Sequence, residues 1–194
     1  MALNKGNWLP KDYERPEAPS NYMKLEDGQN KLRVMSEPIM GFVYWNRDNK
    51  PIRLRMDARP DGQPSDIRDG DKIKHFWALA VWNYQLARLQ ILELTQASIQ
   101  GPIEDLVANA DWGDPRDYDL TITKKGQKLD TEYSVQPSPH KAVPEDAHRT
   151  YRESRINLEA LFDGQDPFST ASGSEGGEVK DVVQEGETPF PPRY

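Results

Sequence analysis

A mainly β fold with one good helix is predicted by three features: short β-branched and aromatic runs with alternating polarity, turn signals between them, and a single stretch of helical spacing. Residues 1–21, with Pro10, Pro16 and Pro19, carry no core pattern and are expected to form an extended arm. The folded domain is expected over 22–140. Lys31 to Met35 alternates, placing Leu32 and Val34 on one face and Lys31, Arg33 and Met35 on the other, after the turn signal Asp27-Gly28. A second β-rich run, Ile39 to Trp45, follows Pro38. Asn46 to Lys74 reads as a long charged connection with turn signals at Asp61-Gly62, Pro64 and Asp69-Gly70, and Ile52 to Met56 offers a short strand within it. His75 to Tyr84 and Arg88 to Leu94 form a hairpin across a short turn.

Thr95 reads as an N-cap, and Ile99, Ile103, Leu106 and Val107 recur at helical spacing, with Gly101-Pro102 predicting a kink or a short first segment. Asp117 to Thr123 and Thr131 to Val135 are the last two strands, around Lys124-Lys125-Gly126. The order of strands, basic loop, hairpin, helix and final strand pair fits a five-stranded OB-fold barrel with one helix between strands. A small open sheet with a covering helix is the second choice. Residues 141–162 are expected to be a peripheral helix or linker, with Tyr151, Leu158 and Leu161 on a weak apolar stripe, and 163–194 a disordered acidic tail.

Charge is unevenly spread. The chain has 194 residues and a net charge of -7. Residues 144–194 account for -6 of it, so the body is nearly neutral. Arg47, Lys50, Arg53, Arg55 and Arg59 form a basic stripe interrupted only by Asp48 and Asp57. There is no Cys, which removes disulfides and thiolate metal sites, and the three His lack a metal-site spacing. No apolar run reaches a membrane span and no secretory leader is visible, so a cytoplasmic protein is expected. Asp117 and Asp119 share a strand face and could hold Mg²⁺, the basis of a nuclease alternative, but aspartates also crowd turns for backbone reasons. No phosphate loop or catalytic triad spacing is present, so neither a cofactor nor catalysis is indicated.

The aromatics carry the chemistry. Phe42, Tyr44 and Trp45 lie on one strand, and Phe76, Trp77, Trp82 and Tyr84 on another. Strand parity groups Trp77 with Leu79 and Val81 as core and leaves Phe76, Trp82 and Tyr84 on the outer face beside small alanines. Such a platform stacks on bases while cations hold the phosphates. The expected nucleic-acid surface is therefore Lys31, Arg33, Phe42, Tyr44, Trp45, Arg47, Arg53, Arg55, Lys74, Phe76, Trp82 and Tyr84. In the acidic tail, Phe190 and Tyr194 are the expected partner-binding groups.

The runs Tyr22 to Met35, Lys74-His75-Phe76-Trp77, Gln90 to Gln96 and Tyr118 to Thr123 resemble the single-stranded DNA-binding proteins of tailed phages over about residues 22–140. The resemblance implies an OB-fold, sequence-independent single-strand binding in replication and recombination, and an acidic tail that contacts replication proteins in the host cytoplasm. Two departures stand out: a Cys-free chain cannot build the Cys/His zinc site of some phage relatives, and Pro189-Phe190 is followed by four more residues. The alternative function is an OB-fold protein-interaction module acting as a replication or recombination accessory.

Overall fold

A computed structural model of the chain describes residues 20–126 and 130–169. Seven strands pair antiparallel in one sheet: β1 (Gly28–Val34), β2 (Ile39–Trp45), β3 (Pro51–Arg55), β4 (Lys74–Asn83), β5 (Arg88–Leu94), β6 (Asp119–Lys125) and β7 (Glu132–Pro137). Two helices, α1 (Ala97–Ala108) and α2 (Glu145–Ser154), and short 3₁₀ turns complete it. Among the described residues no helix is long and apolar enough to cross a membrane.

β4 is the spine. One of its edges pairs with β5 from Trp77↔Leu94 to Asn83↔Arg88. Its other edge is shared: β2 takes the first half, with Met40 opposite Trp77 and Phe42 opposite His75, and β1 the second, with Val34 opposite Val81. Pro38 has no N–H to give to a ladder, so the chain breaks between β1 and β2. The break is satisfied locally, because the Met35 N–H reaches the Ala80 carbonyl at 2.9 Å and the Ala80 N–H reaches Ser36 Oγ at 2.9 Å. β3 pairs only with β2, so the two form an arm on one side; on the other side β6 pairs with β1, and β7 with β6. The sheet thus has seven strands where five were expected, and no ladder among the described residues joins its edges into a barrel.

Alternation divides β4 into two buried faces. Trp77, Leu79 and Val81 enter the inner core with Leu32, Val34, Leu92, Leu94, Leu120 and Ile122, and α1 covers them with Ile99 and Ile103. The opposite face, expected to be open, is covered by residues beyond 140: Phe76 and Ala78 pack against Leu158 and Leu161, and Ala80 and Trp82 against Ala147, with Phe168 flanking both groups. Gly41 allows that close cover, since a Cβ there would sit 2.1 Å from the Leu54 carbonyl oxygen and 3.1 Å from the Phe162 ring. The segment expected to be peripheral is therefore a layer of the fold, and it reaches past Asp163, where the Pro167 carbonyl accepts the Asn157 N–H at 2.9 Å.

α1 runs through Pro102 as one helix rather than splitting there. Pro102 removes the bond to the Ser98 carbonyl, and Ser98 lies at the exposed first turn, where water can serve instead. The helix starts one residue later than expected, with Gln96 as N-cap, and Val107 is 51% exposed while Gln100 is buried, its side-chain amide donating to the Leu94 carbonyl at 3.0 Å.

Candidate nucleic-acid interface

Several of the expected binding residues have structural duties instead. Phe76, fully buried, packs under Phe162 at 6.0 Å between ring centroids, and Trp82 is covered by the α2 layer. Neither presents a face on which a base could stack. Tyr44 is buried as well, its hydroxyl donating to Asp66 at 3.0 Å; burial first, and then that bond, push its phenol pKa up. Alternation along a strand tells which face a side chain takes, but not whether a later segment covers that face.

The cations of β1 and β3 are likewise engaged. Arg33 has the outward parity expected of it, yet it is fully buried and gripped by Asp119 at 2.7 Å, with the Lys141 carbonyl accepting from Nη1 at 3.0 Å. Asp119 also pairs with Lys31 at 3.2 Å and Lys141 at 2.7 Å and accepts the Tyr84 hydroxyl at 2.8 Å. Burial raises the Asp119 pKa, but hydrogen bonds from Lys141, Tyr84, Arg33 and Lys31 outweigh it and hold the carboxyl below its ordinary range. The same pairing, behind burial as the larger cause, pushes the Tyr84 phenol up to about 12. With three cations on the Asp119 carboxylate and Asp117 exposed in the preceding 3₁₀ turn, these two aspartates do not converge on a common site for Mg²⁺. Across the sheet Arg53 pairs with Glu93 at 2.7 Å, and Arg55 pairs with Glu159 while lying 4.5 Å over the Phe162 ring.

What remains open is the β2–β3 arm. Phe42 is half-buried, and the Arg59 guanidinium lies 5.0 Å from its ring centroid. Phe42 meets His75 at 5.8 Å, and His75 meets the edge of Trp77 at 6.5 Å, so a line of rings leads from Arg59 inward along one face of the sheet. At the end of the arm Trp45 is 40% exposed with Arg68 at 5.7 Å over its ring. The loop that carries Arg68 is held to Trp45 by backbone: the Arg68 N–H reaches the Trp45 carbonyl at 2.8 Å, and the Trp45 N–H reaches Asp71 at 2.7 Å. Burial raises the Asp71 pKa, but the Trp45 and Lys72 N–H groups, with the charges of Lys74 and Arg68, leave it lowered. Arg47 and Lys74 are exposed nearby, the latter with Asp71 at 3.9 Å.

Of the twelve expected residues, Phe42, Trp45, Arg47 and Lys74 thus lie on or beside the open arm, with Phe42 and Trp45 on opposite faces of β2. Sequence reasoning missed Met40, His75 and Arg68 there, and placed Arg59 in a basic stripe without pairing it to Phe42. Met40 and Phe42 share parity, so Met40 was recoverable. The cross-strand register that seats His75 beside Phe42, and the loop path that lays Arg68 on Trp45, depend on long-range pairing. Phe190 and Tyr194 lie outside the described residues.

Beyond Trp77 the same face opens into an apolar cavity of about 800 Å³ between α1, β4 and the turn at 113–116. Among the described residues no group of His, Asp or Glu side chains could hold a metal ion.

No protein-family profile matches the chain, and no solved structure matches it. A protein of Escherichia phage T5 named "Probable ssDNA-binding protein" is 24% identical over 141 residues, covering 59% of this chain and 54% of that protein. The chain is therefore similar, over about half of that relative's length, to a phage protein of that description.

Proposed function

We propose that this chain binds single-stranded DNA without regard to sequence, along the β2–β3 arm. The carrying observation is the pair of cation-capped, accessible rings, Arg59 on Phe42 and Arg68 on Trp45. A guanidinium over a ring extends the stack, so that a base can lie on the guanidinium plane while the guanidinium N–H groups meet a phosphate, and such stacking is indifferent to base identity. Arg47 and Lys74 add positive charge beside the rings. The named phage T5 relative supports the same ligand class.

The finer fold assignment belongs with this proposal. If β1 and β2 count as one strand interrupted at Pro38, the order of that strand, β4, β5, α1, β6 and β7 is the OB order, with β3 as an addition. Under this reading the protein serves phage replication and recombination in the host cytoplasm, and its acidic C-terminal residues, with Phe190 and Tyr194, recruit partner proteins.

The test is equilibrium binding of oligo-dT to the double variant Phe42→Ala with Trp45→Ala. A loss of roughly 1 to 3 kcal/mol per stacked base is expected with the fold retained. Unchanged affinity would remove the arm from the DNA path.

A further inference from the structure

We propose that the cavity between α1 and β4 is a docking site for a partner protein, and that it takes a basic amphipathic segment with large aliphatic anchors. This goes beyond DNA binding and does not depend on it. Three observations point the same way. The cavity, about 800 Å³, is floored by Val34, Trp77, Leu79 and Ile103. Around its mouth Met40, Met56 and Val107 stand 43%, 52% and 51% exposed, although each is a large apolar side chain. Apolar groups gathered at the rim of an apolar cavity mark a contact surface, and methionine adapts to anchors of varied shape.

Trp77 supplies the second observation. It is 7% exposed, it lines the cavity, and among the described residues its indole N–H has no acceptor. A buried donor left unmade costs free energy, so an occupant that offers a carbonyl, as any peptide backbone does, gains at that point. The third is charge. The lining carries three carboxylates, Glu37, Glu104 and Asp114, against the single cation Arg116. Arg116 is itself paired with Asp114 and with Glu37, another residue at the cavity. Burial works against it, but the Arg116 hydrogen bond, the largest influence, lowers the Asp114 pKa. That lining repels phosphodiesters and attracts cationic side chains, whereas the Arg59 guanidinium lies by Phe42 at the other end of the same face.

The probes are two synthetic peptides with one leucine pattern, a Leu/Lys and a Leu/Glu amphipathic helix, titrated into the full chain while the Trp77 indole ¹H–¹⁵N resonance is followed. The Leu/Lys peptide is expected to saturate and shift that resonance, and the Leu/Glu peptide is not. Met56→Gln with Val107→Gln, both at exposed positions and without change of charge, should weaken the Leu/Lys peptide at least about tenfold, or 1.4 kcal/mol, leaving the melting temperature and oligo-dT affinity unchanged. The proposal is overturned if neither peptide binds, if both bind alike, if the double variant binds as the parent does, or if oligo-dT moves the Trp77 resonance and displaces the peptide. The last result would assign the cavity to DNA. Peptide binding without any oligo-dT binding would keep this proposal and sink the DNA reading.

Discussion

Asp119 is a fully buried carboxylate that joins β6 to β1 through Arg33 and Lys31, to the β4–β5 turn through Tyr84, and to the chain beyond 140 through Lys141. Asp119→Asn would strand the buried Arg33 charge, and removing one partner of such a pair costs about 3 to 5 kcal/mol, which a denaturant midpoint would report. The pH dependence follows from sign. The Asp119 pKa is lowered in the fold, so its contribution is complete above the unfolded carboxyl value and is lost as pH falls through the folded one. Tyr84 is the reverse: raised to about 12, it stabilises fully below the unfolded phenol value and loses that contribution as pH rises towards 12. A tyrosinate titration at alkaline pH should show a phenol ionising near 12 that disappears in Tyr84→Phe. If Asp119→Asn melts with the parent, the hub is not holding the fold. Arg33 also shows where residue-level inference stops. Its outward parity was legible from alternation with Leu32 and Val34, but the pairing that removes it from solvent links residues 86 positions apart.

At the scale of elements, β4 decides both what is buried and what is left for function. Its inner set, Trp77, Leu79 and Val81, was legible because Leu79 and Val81 could only be core. Its outer set resembled an open platform, because Ala78 and Ala80 leave space beside aromatics. The structure fills that space with Leu158, Leu161, Ala147 and Phe168 instead. The covering segment was hard to recognise, since α2 is strongly polar and its neighbouring 3₁₀ turn contributes only Leu158 and Leu161. Phe76→Ala and Trp82→Ala should therefore each cost about 3 to 5 kcal/mol of stability while leaving oligo-dT affinity intact in the folded fraction. Weaker DNA binding without loss of stability would return these rings to the binding face. A chain ending at Phe162 should melt below one ending at Ser169, because it lacks Phe168 and the Pro167 carbonyl that holds Asn157. Equal melting temperatures would show that the segment after Phe162 contributes nothing to the cover.

Over the whole molecule, a net charge of -7 conceals a division that suits a nucleic-acid binder. Residues 47–74 carry eight cations against six aspartates, while the α1 wall across the cavity is acidic. Seven strands lie in one antiparallel sheet, with the covered spine at the centre and the accessible arm on one side. The β-rich class and most strand positions were visible in alternation and turns. The arm itself was not, because β3 looked like a fragment of a charged loop until its pairing with β2 was known. The most direct test of the account is a titration of the full chain's tryptophan fluorescence with oligo-dT over a range of salt. The predicted result is quenching with an affinity that falls as salt rises, at a log–log slope of about 0.7 for each phosphate neutralised. An unchanged signal at both low and high salt, or binding that salt does not weaken, would contradict it.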